Sequence, residues 1–314
     1  MTDLPAGYAL RSPAAGDVDA IGGMLVADQL AAGFEPTIDA AFVRRVWSRP
    51  DFDIGVDAWV VTDGTGAVVA YGQVRREEPD IVGSWGVVHL EHRGLGIGSS
   101  LLDRIEGRAA ALLAGVESPR FRHSLTAGDD AAESIVRDRG LRPIRHLWHM
   151  QIDLTGPIEA GPAPAGIHIG GIEPPDDLRA IHAVLEAAFL EDLGDHPEPF
   201  DRWAEEHMSS PSYDPTLWLM ARDGDEPVGA LIASVGDDRG WVDWLAVLAS
   251  HRGRGIGMAL LRGSFTMLAA RGLGPVLVNV DAENVTGATA VYERAGMRVV
   301  NQWDLWERSA DGPG

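Results

Sequence analysis

A short glycine-rich phrase occurs twice in this chain and constrains its fold more than any other feature. It reads Arg93-Gly94-Leu95-Gly96-Ile97-Gly98 in the first half and Arg252-Gly253-Arg254-Gly255-Ile256-Gly257 in the second half, 159 residues further on. Each copy follows an apolar run and precedes an amphipathic stretch, an order that predicts a strand, a tight turn and a helix. The chain of 314 residues is therefore expected to contain the same supersecondary unit twice.

The glycines in this phrase predict an anion-binding turn. Glycine accepts positive φ angles and has no Cβ to keep a ligand away from the backbone. The exposed N–H groups and the positive end of the helix dipole then favour a phosphate. Close packing at a helix start explains a single copy equally well, but two copies in the same context favour the phosphate cradle. The glycines alternate at every second residue, which matches neither the Rossmann nor the Walker pattern.

The length and the repeat both predict two domains. A stretch rich in Gly, Pro and Ala is typical of a linker, and we place an N-terminal domain at 1–154, the linker at 155–166 and a C-terminal domain at 167–314. Each half predicts an antiparallel meander, the glycine loop with its helix, a parallel strand, a helix and a closing strand. The expected fold class is α/β (α+β), with a mixed, mostly antiparallel sheet flanked by helices in each domain.

Composition excludes several functions. The net charge is −21, and residues 1–156 carry 15 arginines against 22 acids, so a nucleic-acid surface is disfavoured and a cationic substrate such as an amine is favoured. No apolar run reaches the ~20 residues of a membrane span, and the N-terminus has no signal core, which predicts a cytoplasmic protein without a membrane partner. Cysteine and lysine are absent, which excludes disulfides, thiolate catalysis and Schiff bases. The ten histidines show no convincing ligand spacing with acids, and no metal is predicted.

The second half resembles a known family. The pattern Arg-x-x-Gly-x-Gly after a strand is similar to the acyl-CoA pyrophosphate loop of the GNAT (GCN5-related) N-acetyltransferases. The resemblance continues through Asn284 and a helix that ends in Tyr292-Glu-Arg-Ala-Gly296-Met297, with Met297 in place of the family's Phe, and it spans Thr216 to Trp306. The first half is similar more weakly. The whole arrangement resembles the two-domain, mycothiol synthase-like members of the family.

This resemblance implies an acyl-CoA-dependent N-acyltransferase. The simplest reaction transfers acetyl from acetyl-CoA to a primary amine of a small molecule, directly within a ternary complex, since the easiest acyl carrier, a cysteine, is absent. Two alternatives stay open. The first is an acyl-CoA-binding regulatory protein without turnover. The second is an acyltransferase that uses a different acyl donor. The acceptor amine, the acyl chain length and the choice between monomer and homodimer are not specified by these motifs.

The resemblance also assigns candidate residues for the cofactor. Backbone groups of the strand and of the loop after it are expected to hold the coenzyme in the second half, namely Leu245, Ala246, Val247, Arg252, Gly253, Arg254, Gly255, Ile256, Gly257, Met258 and Asn284. Capping of the next helix is the commoner use of an asparagine such as Asn284, and both roles are compatible. A second candidate cofactor site in the first half comprises Val88, Arg93, Gly94, Leu95, Gly96, Gly98 and Ser99.

Tyr292 is the candidate general acid for the departing thiolate, and the competing interpretation is an aromatic side chain that packs the helix onto the sheet. The first half carries Val136 at the matching position. Valine cannot donate a proton, so the first half is expected to bind or to support the fold without catalysis. Asp243 is the first candidate for the general base, because a buried strand aspartate is costly unless it is used; an equally open interpretation is a solvent-facing strand residue. His196 in the loop 189–196 and a water molecule are the remaining candidates.

Overall fold

The structure, a computed structural model, describes residues 3–156, 158, 161–189, 198–210, 212–236, 239–283 and 287–310. The chain forms two compact units that are not continuous in sequence. The first unit contains residues 1–148, 281–283 and 300–314, and the second contains residues 149–280 and 284–299. Residues 300–314 thus group with the first unit, although they follow the second unit in sequence.

The helices and strands repeat in the predicted order. The elements up to residue 153 are β1 Ala9–Arg11, α1 Val18–Ala31, α2 Ala40–Trp47, β2 Ala58–Thr62, β3 Val68–Glu78, β4 Ile81–Val88, α3 Ile97–Leu112, β5 Arg120–Thr126, α4 Asp130–Asp138 and β6 Arg142–Asp153. The elements after it are β7 Ile167–Gly171, α5 Asp176–Phe189, α6 Phe200–Ser209, β8 Leu219–Asp223, β9 Glu226–Gly236, β10 Arg239–Val247, α7 Ile256–Ala270, β11 Pro275–Asp281, α8 Ala288–Arg294 and β12 Arg298–Ser309.

The first unit is built on a mixed sheet with the strand order β1-β2-β3-β4-β5-β12. All neighbours are antiparallel except β4 and β5, which run parallel because α3 crosses over between them. One apolar cluster joins the sheet to α1 and α2, and a second joins it to α3 and α4. The two helix pairs therefore cover different patches of apolar side chains on this sheet.

The closing strand β12 is fixed to the first unit by both apolar and polar contacts. Trp306 is almost fully buried in the cluster beneath α3 and α4. The buried Asn301 donates from Nδ2 to Gln29 Oε1 near the end of α1 and to Thr37 Oγ1 at 3.0 Å. Gln29 Oε1 also accepts from the Thr37 N–H at 2.9 Å. This network satisfies the polar groups that the strand brings into the interior.

The second unit contains the strand order β11-β10-β9-β8-β7. β10 and β11 are parallel and joined through α7, whereas β10, β9, β8 and β7 form an antiparallel meander. The predicted mixed, mostly antiparallel sheet flanked by helices is thus confirmed. Helix α7 buries Leu260, Leu261 and Phe265, which recur at the helical spacing seen in the sequence.

Candidate active site

In the second unit, the parallel strands β10 and β11 pair over only part of their length. Their pairing ends at Val242 opposite Val278, although β10 continues to Val247 and β11 to Asp281. A β-bulge in the pairing of β10 with β9 falls between Val242 and Trp244. A bulge adds one residue to a strand and bends it, which here turns β10 away from its parallel neighbour. The two strand ends therefore leave backbone groups available to an extended ligand.

The glycine loop follows directly at the end of β10. Gly253 and Gly255 adopt φ angles of +77° and +85°, and Gly255 is the residue before the first turn of α7. A Cβ at Gly253 would meet nothing within 4 Å, and one at Gly255 would meet only Pro164, at 3.8 Å. Glycine is therefore required for the left-handed backbone and not for lack of room. The N–H groups that open α7 have no partner one turn earlier and face outward.

Arg252 supports this loop through its side chain. Its Nε donates to the carbonyl of Val247 at 3.2 Å, and its Nη2 donates to the carbonyl of Ala188 at the end of α5, at 3.1 Å. Its backbone N–H donates to Ala249 in a short 3-10 turn. The N–H of Arg252 is therefore used within the loop itself. Arg254, one residue further on, forms an ion pair with Asp223 at 3.0 Å.

Tyr292 lies on α8, in the segment that follows β11. Only 5% of its surface is exposed, and burial raises its pKa above that of an ordinary tyrosine. The phenol is therefore protonated throughout the physiological range. Gly296 ends the helix with a φ of +94°, and the Met297 N–H bonds back to the Tyr292 carbonyl at 3.0 Å.

Asp243 is exposed, at the β-bulge of β10. Of the two interpretations of this residue, the structure supports the solvent-facing one, and the desolvation argument for a buried carboxylate does not apply. Its neighbour Trp244 packs edge-on against Phe189 at the end of α5, with ring centroids 5.3 Å apart. The bulge thus directs a tryptophan towards α5. Asn284 and the loop candidates up to His196 lie outside the described residues.

The first unit repeats the geometry of the loop. Gly94 and Gly96 have φ angles of +76° and +85°, and Gly96 precedes the first turn of α3. Arg93 Nε donates to the Val88 carbonyl at 3.2 Å, as Arg252 does to Val247. The pairing of β4 with β5 ends at Trp85 opposite Ser124, and the two strands run on beyond it.

Val136 occupies the position of Tyr292 by the same backbone criterion. Gly140 ends α4 with a φ of +79°, and the Leu141 N–H bonds back to the Val136 carbonyl at 3.1 Å. A cavity of about 490 Å³ lies between the glycine loop, the ends of β4 and β5, and Val136. The first unit thus retains an open space beside its loop, but the position of the phenol is occupied by an aliphatic side chain.

Sequence reasoning did not identify two polar residues of this cavity. His123 on β5 is buried, and burial lowers its pKa to about 4. Ser84 Oγ donates to the Arg122 carbonyl at 2.9 Å, so the His123 Nδ1–H donates to Ser84 Oγ at 2.7 Å, leaving Nε2 as an acceptor. Asp28 on α1 lines another part of the cavity. Neither residue belongs to a local motif; only the parallel offset of β4 and β5 could have paired His123 with Ser84.

Taken together, the second unit presents parted strand ends, a left-handed glycine turn, outward N–H groups at a helix start and a protonated phenol. Strand backbone suits an extended amide-bearing arm, and the helix start suits its diphosphate. This combination defines a coenzyme A-dependent acyltransferase with a mixed-sheet fold.

Comparisons with known proteins agree with this class. The profile described as the Acetyltransferase (GNAT) family matches residues 178–297. A mycothiol acetyltransferase from Streptomyces scabiei is 32% identical over 249 residues, covering 77% of this chain and 76% of the relative. The crystal structure of a GCN5-related N-acetyltransferase from Sphaerobacter thermophilus is 33% identical, has a TM-score of 0.87 and covers 99% of this chain and 98% of its own. The chain belongs to the GNAT acetyltransferase family.

A tandem GNAT protein from the clavulanic acid biosynthesis pathway shares the fold, with 18% sequence identity and a TM-score of 0.67. The match covers 98% of this chain and 99% of that protein's chain. The predicted tandem N-acetyltransferase architecture is thus confirmed. Over the described parts of the chain, no group of three or more His, Cys, Asp or Glu side chains is arranged to hold a metal ion. Within the same residues, no helix combines the length and apolarity needed to cross a membrane.

Proposed function

We propose that this acetyltransferase transfers acetyl from acetyl-CoA to a primary amine of a small molecule, with its chemistry in the second unit. The observation that carries the proposal is the parting of β10 and β11 beside the left-handed turn at Gly253 and Gly255. In this proposal, strand groups from Leu245 to Val247 bind the pantetheine arm, and the N–H groups from Gly253 to Met258 bind the pyrophosphate. Asn284 contributes to the same arm.

The reaction requires a neutral amine, a stabilised oxyanion and a proton for the leaving group. The amine nitrogen attacks the thioester carbonyl, the C–S bond breaks, and Tyr292 gives its phenolic proton to the departing sulfur. The extra proton of the amine passes to Asp243 directly or to water. Because Asp243 is exposed, it suits a base that exchanges protons with solvent more than one tuned by burial.

Two observations support a small amine as the acceptor. The relatives at more than 30% identity and two-thirds coverage are named mycothiol acetyltransferase, and we propose an acceptor of that kind, a cysteinyl amine on a sugar-linked thiol precursor. The net charge of −21 favours the approach of a cationic amine over an anionic one. An acyl-CoA-binding regulator would share the cradle but would have no use for the proton donor proposed at Tyr292.

We also propose a second, non-catalytic coenzyme site in the N-terminal region 1–154, distinct from catalysis in 167–314. Its support is the similar backbone of the first glycine loop, in which Gly94 and Gly96 match Gly253 and Gly255 in φ. Of its candidate residues, Val88, Arg93, Gly94, Gly96, Gly98 and Ser99 line the cavity of about 490 Å³, and Leu95 is an exposed residue of the same loop. Val136 provides no proton donor, so this site binds without transfer.

Calorimetric titration with acetyl-CoA, paired with a turnover assay on a panel of amines, tests both proposals. We expect two sites per chain, and initial-rate lines that intersect as for a ternary complex. Gly255→Glu is expected to remove one site and all turnover, whereas the matched change Gly96→Glu is expected to remove the other site and leave turnover intact. Binding without turnover on any amine would favour the regulatory protein, and an isolable acyl-enzyme would exclude direct transfer.

A further inference from the structure

In the first unit, the ends of β4 and β5 beyond their last paired residues leave a gap, the notch, and the carboxylate of Asp28 bridges it. Gly86, Val87 and Val88 line the cavity on the β4 side, and Leu125 and Thr126 line it on the β5 side. Asp28, near the end of α1, accepts from Arg93 with Oδ1 and from the Thr126 hydroxyl with Oδ2, the latter at 2.5 Å. Arg93 is itself fixed to the Val88 carbonyl.

The carboxylate of Asp28 thus connects the ends of both strands. Only 13% of its side chain is exposed, and the cavity reaches it. Arg93 also pairs with Asp129 at 3.1 Å, and Asp129 caps α4 by accepting from the Ala132 N–H. The guanidinium is therefore held from two sides, which makes the closure stiffer than one ion pair would be.

Asp28 and the glycine loop reach the cavity from different helices. Asp28 reaches the notch from α1, which packs with α2 on one apolar cluster of the sheet. The glycine loop and Val136 reach the same cavity from α3 and α4, which pack on the other cluster. A ligand held at the glycine loop therefore meets Asp28 at the α1 end of the notch.

The α1 side beside this notch is also filled. Tyr71, opposite Val87 in the sheet register, is fully buried. Its hydroxyl donates to Gln73 Oε1 at 2.7 Å and accepts from Trp47 Nε1 at 2.9 Å. In the second unit, Ala246 stands at the position that matches Val87. Its register partner is Ala230, which is much smaller than Tyr71. The α1 side of the first unit thus carries a buried tyrosine where the second unit carries an alanine.

We propose that Asp28 is a latch that separates a thioester bound in the first unit from any acceptor. The proposal rests on the coenzyme site proposed above for the first glycine loop. In it, the loop and the cavity hold the acyl-pantetheine arm, and Asp28, bridging Arg93 and Thr126, blocks nucleophiles that approach from α1. The first unit then keeps an acyl-CoA intact, because both its proton donor and its acceptor path are missing.

The test uses the full-length Gly255→Glu protein, in which only the first cradle remains. The protein is saturated with acetyl-CoA and challenged with hydroxylamine, a small nucleophile that cleaves thioesters, and the loss of thioester is followed. We expect slower loss than for free acetyl-CoA. Adding Asp28→Ala is expected to accelerate the loss by about tenfold, because hydrogen bonds to a charged group no longer oppose opening of the notch. The affinity for acetyl-CoA should change little.

Two further variants make the result specific. Asp19→Ala removes another α1 carboxylate, the exposed partner of Arg44, and should leave protection unchanged. Asp28→Asn keeps an acceptor for Arg93 but cannot accept from Thr126, and should give intermediate protection in a protein with an unchanged melting curve. Equal protection in Asp28→Ala and its parent overturns the latch. Absence of acetyl-CoA binding in the Gly255→Glu parent also overturns it, while turnover by the unmodified chain would still support the proposed function.

Discussion

Replacing Tyr292 with phenylalanine isolates the proposed proton donor from the packing of the same ring. The side chain is 5% exposed, so the ring of the phenylalanine fills the same space and only the hydroxyl is lost. Burial raises the pKa of the phenol, which keeps the proton in place but makes it a weaker acid towards the thiolate. General acid catalysis is usually worth 10²- to 10⁴-fold, so a weakened acid is expected at the lower part of this range or just below it.

We therefore expect Tyr292→Phe to lower kcat by roughly ten- to a thousand-fold, about 1.4 to 4 kcal/mol of transition-state stabilisation. The assay is steady-state release of free CoA thiol with a saturating amine, with acetyl-CoA affinity measured separately by calorimetry. Tyr213→Phe is the matched control, because Tyr213 is a partly buried tyrosine of the second unit that packs edge-on against Trp218. Its turnover should be unchanged.

An unchanged kcat in Tyr292→Phe would refute the acid role and leave Tyr292 as a packing residue. The pH dependence provides a second check. Because burial raises the pKa of Tyr292 in the folded protein, the phenol keeps its proton at a pH where an ordinary tyrosine, with a pKa of about 10, would lose it. A loss of kcat below pH 10 that disappears in Tyr292→Phe would therefore contradict the burial of this phenol.

Three other perturbations follow from the structure. Gly255→Ala, which forces a Cβ into a φ of +85°, should cost about 1–2 kcal/mol and raise the KM for acetyl-CoA about tenfold. Gly274→Ala, which lies outside the proposed coenzyme site and whose Cβ would meet no atom within 4 Å, should have little effect. Asn301→Leu should lower the free energy of unfolding by about 1–3 kcal/mol in urea titrations, because buried partners lose their donor. Asp304 raises the pKa of His146 through a 2.6 Å hydrogen bond, so protonated His146 stabilises the folded state. This contribution to the free energy of unfolding is complete below about pH 6.5 and is lost as pH rises through the pKa of His146 in the folded protein. The corresponding shift of melting temperature with pH should vanish in Asp304→Asn.

Local patterns in the sequence were sufficient for most of the fold. The phrase predicted glycines with positive φ, and Gly94, Gly96, Gly253 and Gly255 have it, whereas Gly98 and Gly257 lie inside helices. These helices begin at Ile97 and Ile256, so the last glycine of each phrase already lies inside the helix. Periodicity and turn residues determine these features within a few residues of chain, so no distant contact is needed to predict them.

The assignment of the closing strand could not be predicted in this way. The strand pattern from Val299 to Trp306 was visible in the sequence, but the pattern does not specify which sheet the strand joins. In the structure Trp306 is buried in the first unit and Asn301 completes a hydrogen-bond network there. Pairing between residues nearly 180 positions apart, such as Thr126 and Trp303, depends on shape and polar complementarity that a single sequence does not show.

The candidate site shows the same difference between local patterns, which can be predicted, and contacts between distant residues, which cannot. The cradle is formed by backbone, and its sequence signal is strong because few residues other than glycine adopt that backbone. Asp243 was open between two interpretations because alternation along a strand fails at a bulge, and a bulge has no clear signal in this segment. Asp28 was missed because its partners, Arg93 and Thr126, are 65 and 98 residues away.

The two units differ in how much of the proposed site each one contains. Recognition by backbone N–H groups needs only two glycines with positive φ and a helix start, and these are preserved at +76° and +85° in the first unit and at +77° and +85° in the second. In the proposed mechanism, transfer needs a phenol at one position and an open path for the acceptor. Val136 leaves the first requirement unmet in the first unit, and Asp28 is proposed to remove the second. If both inferences hold, restoring transfer in the first unit would require at least the paired change Val136→Tyr and Asp28→Ala, and neither change alone would produce turnover in the Gly255→Glu background.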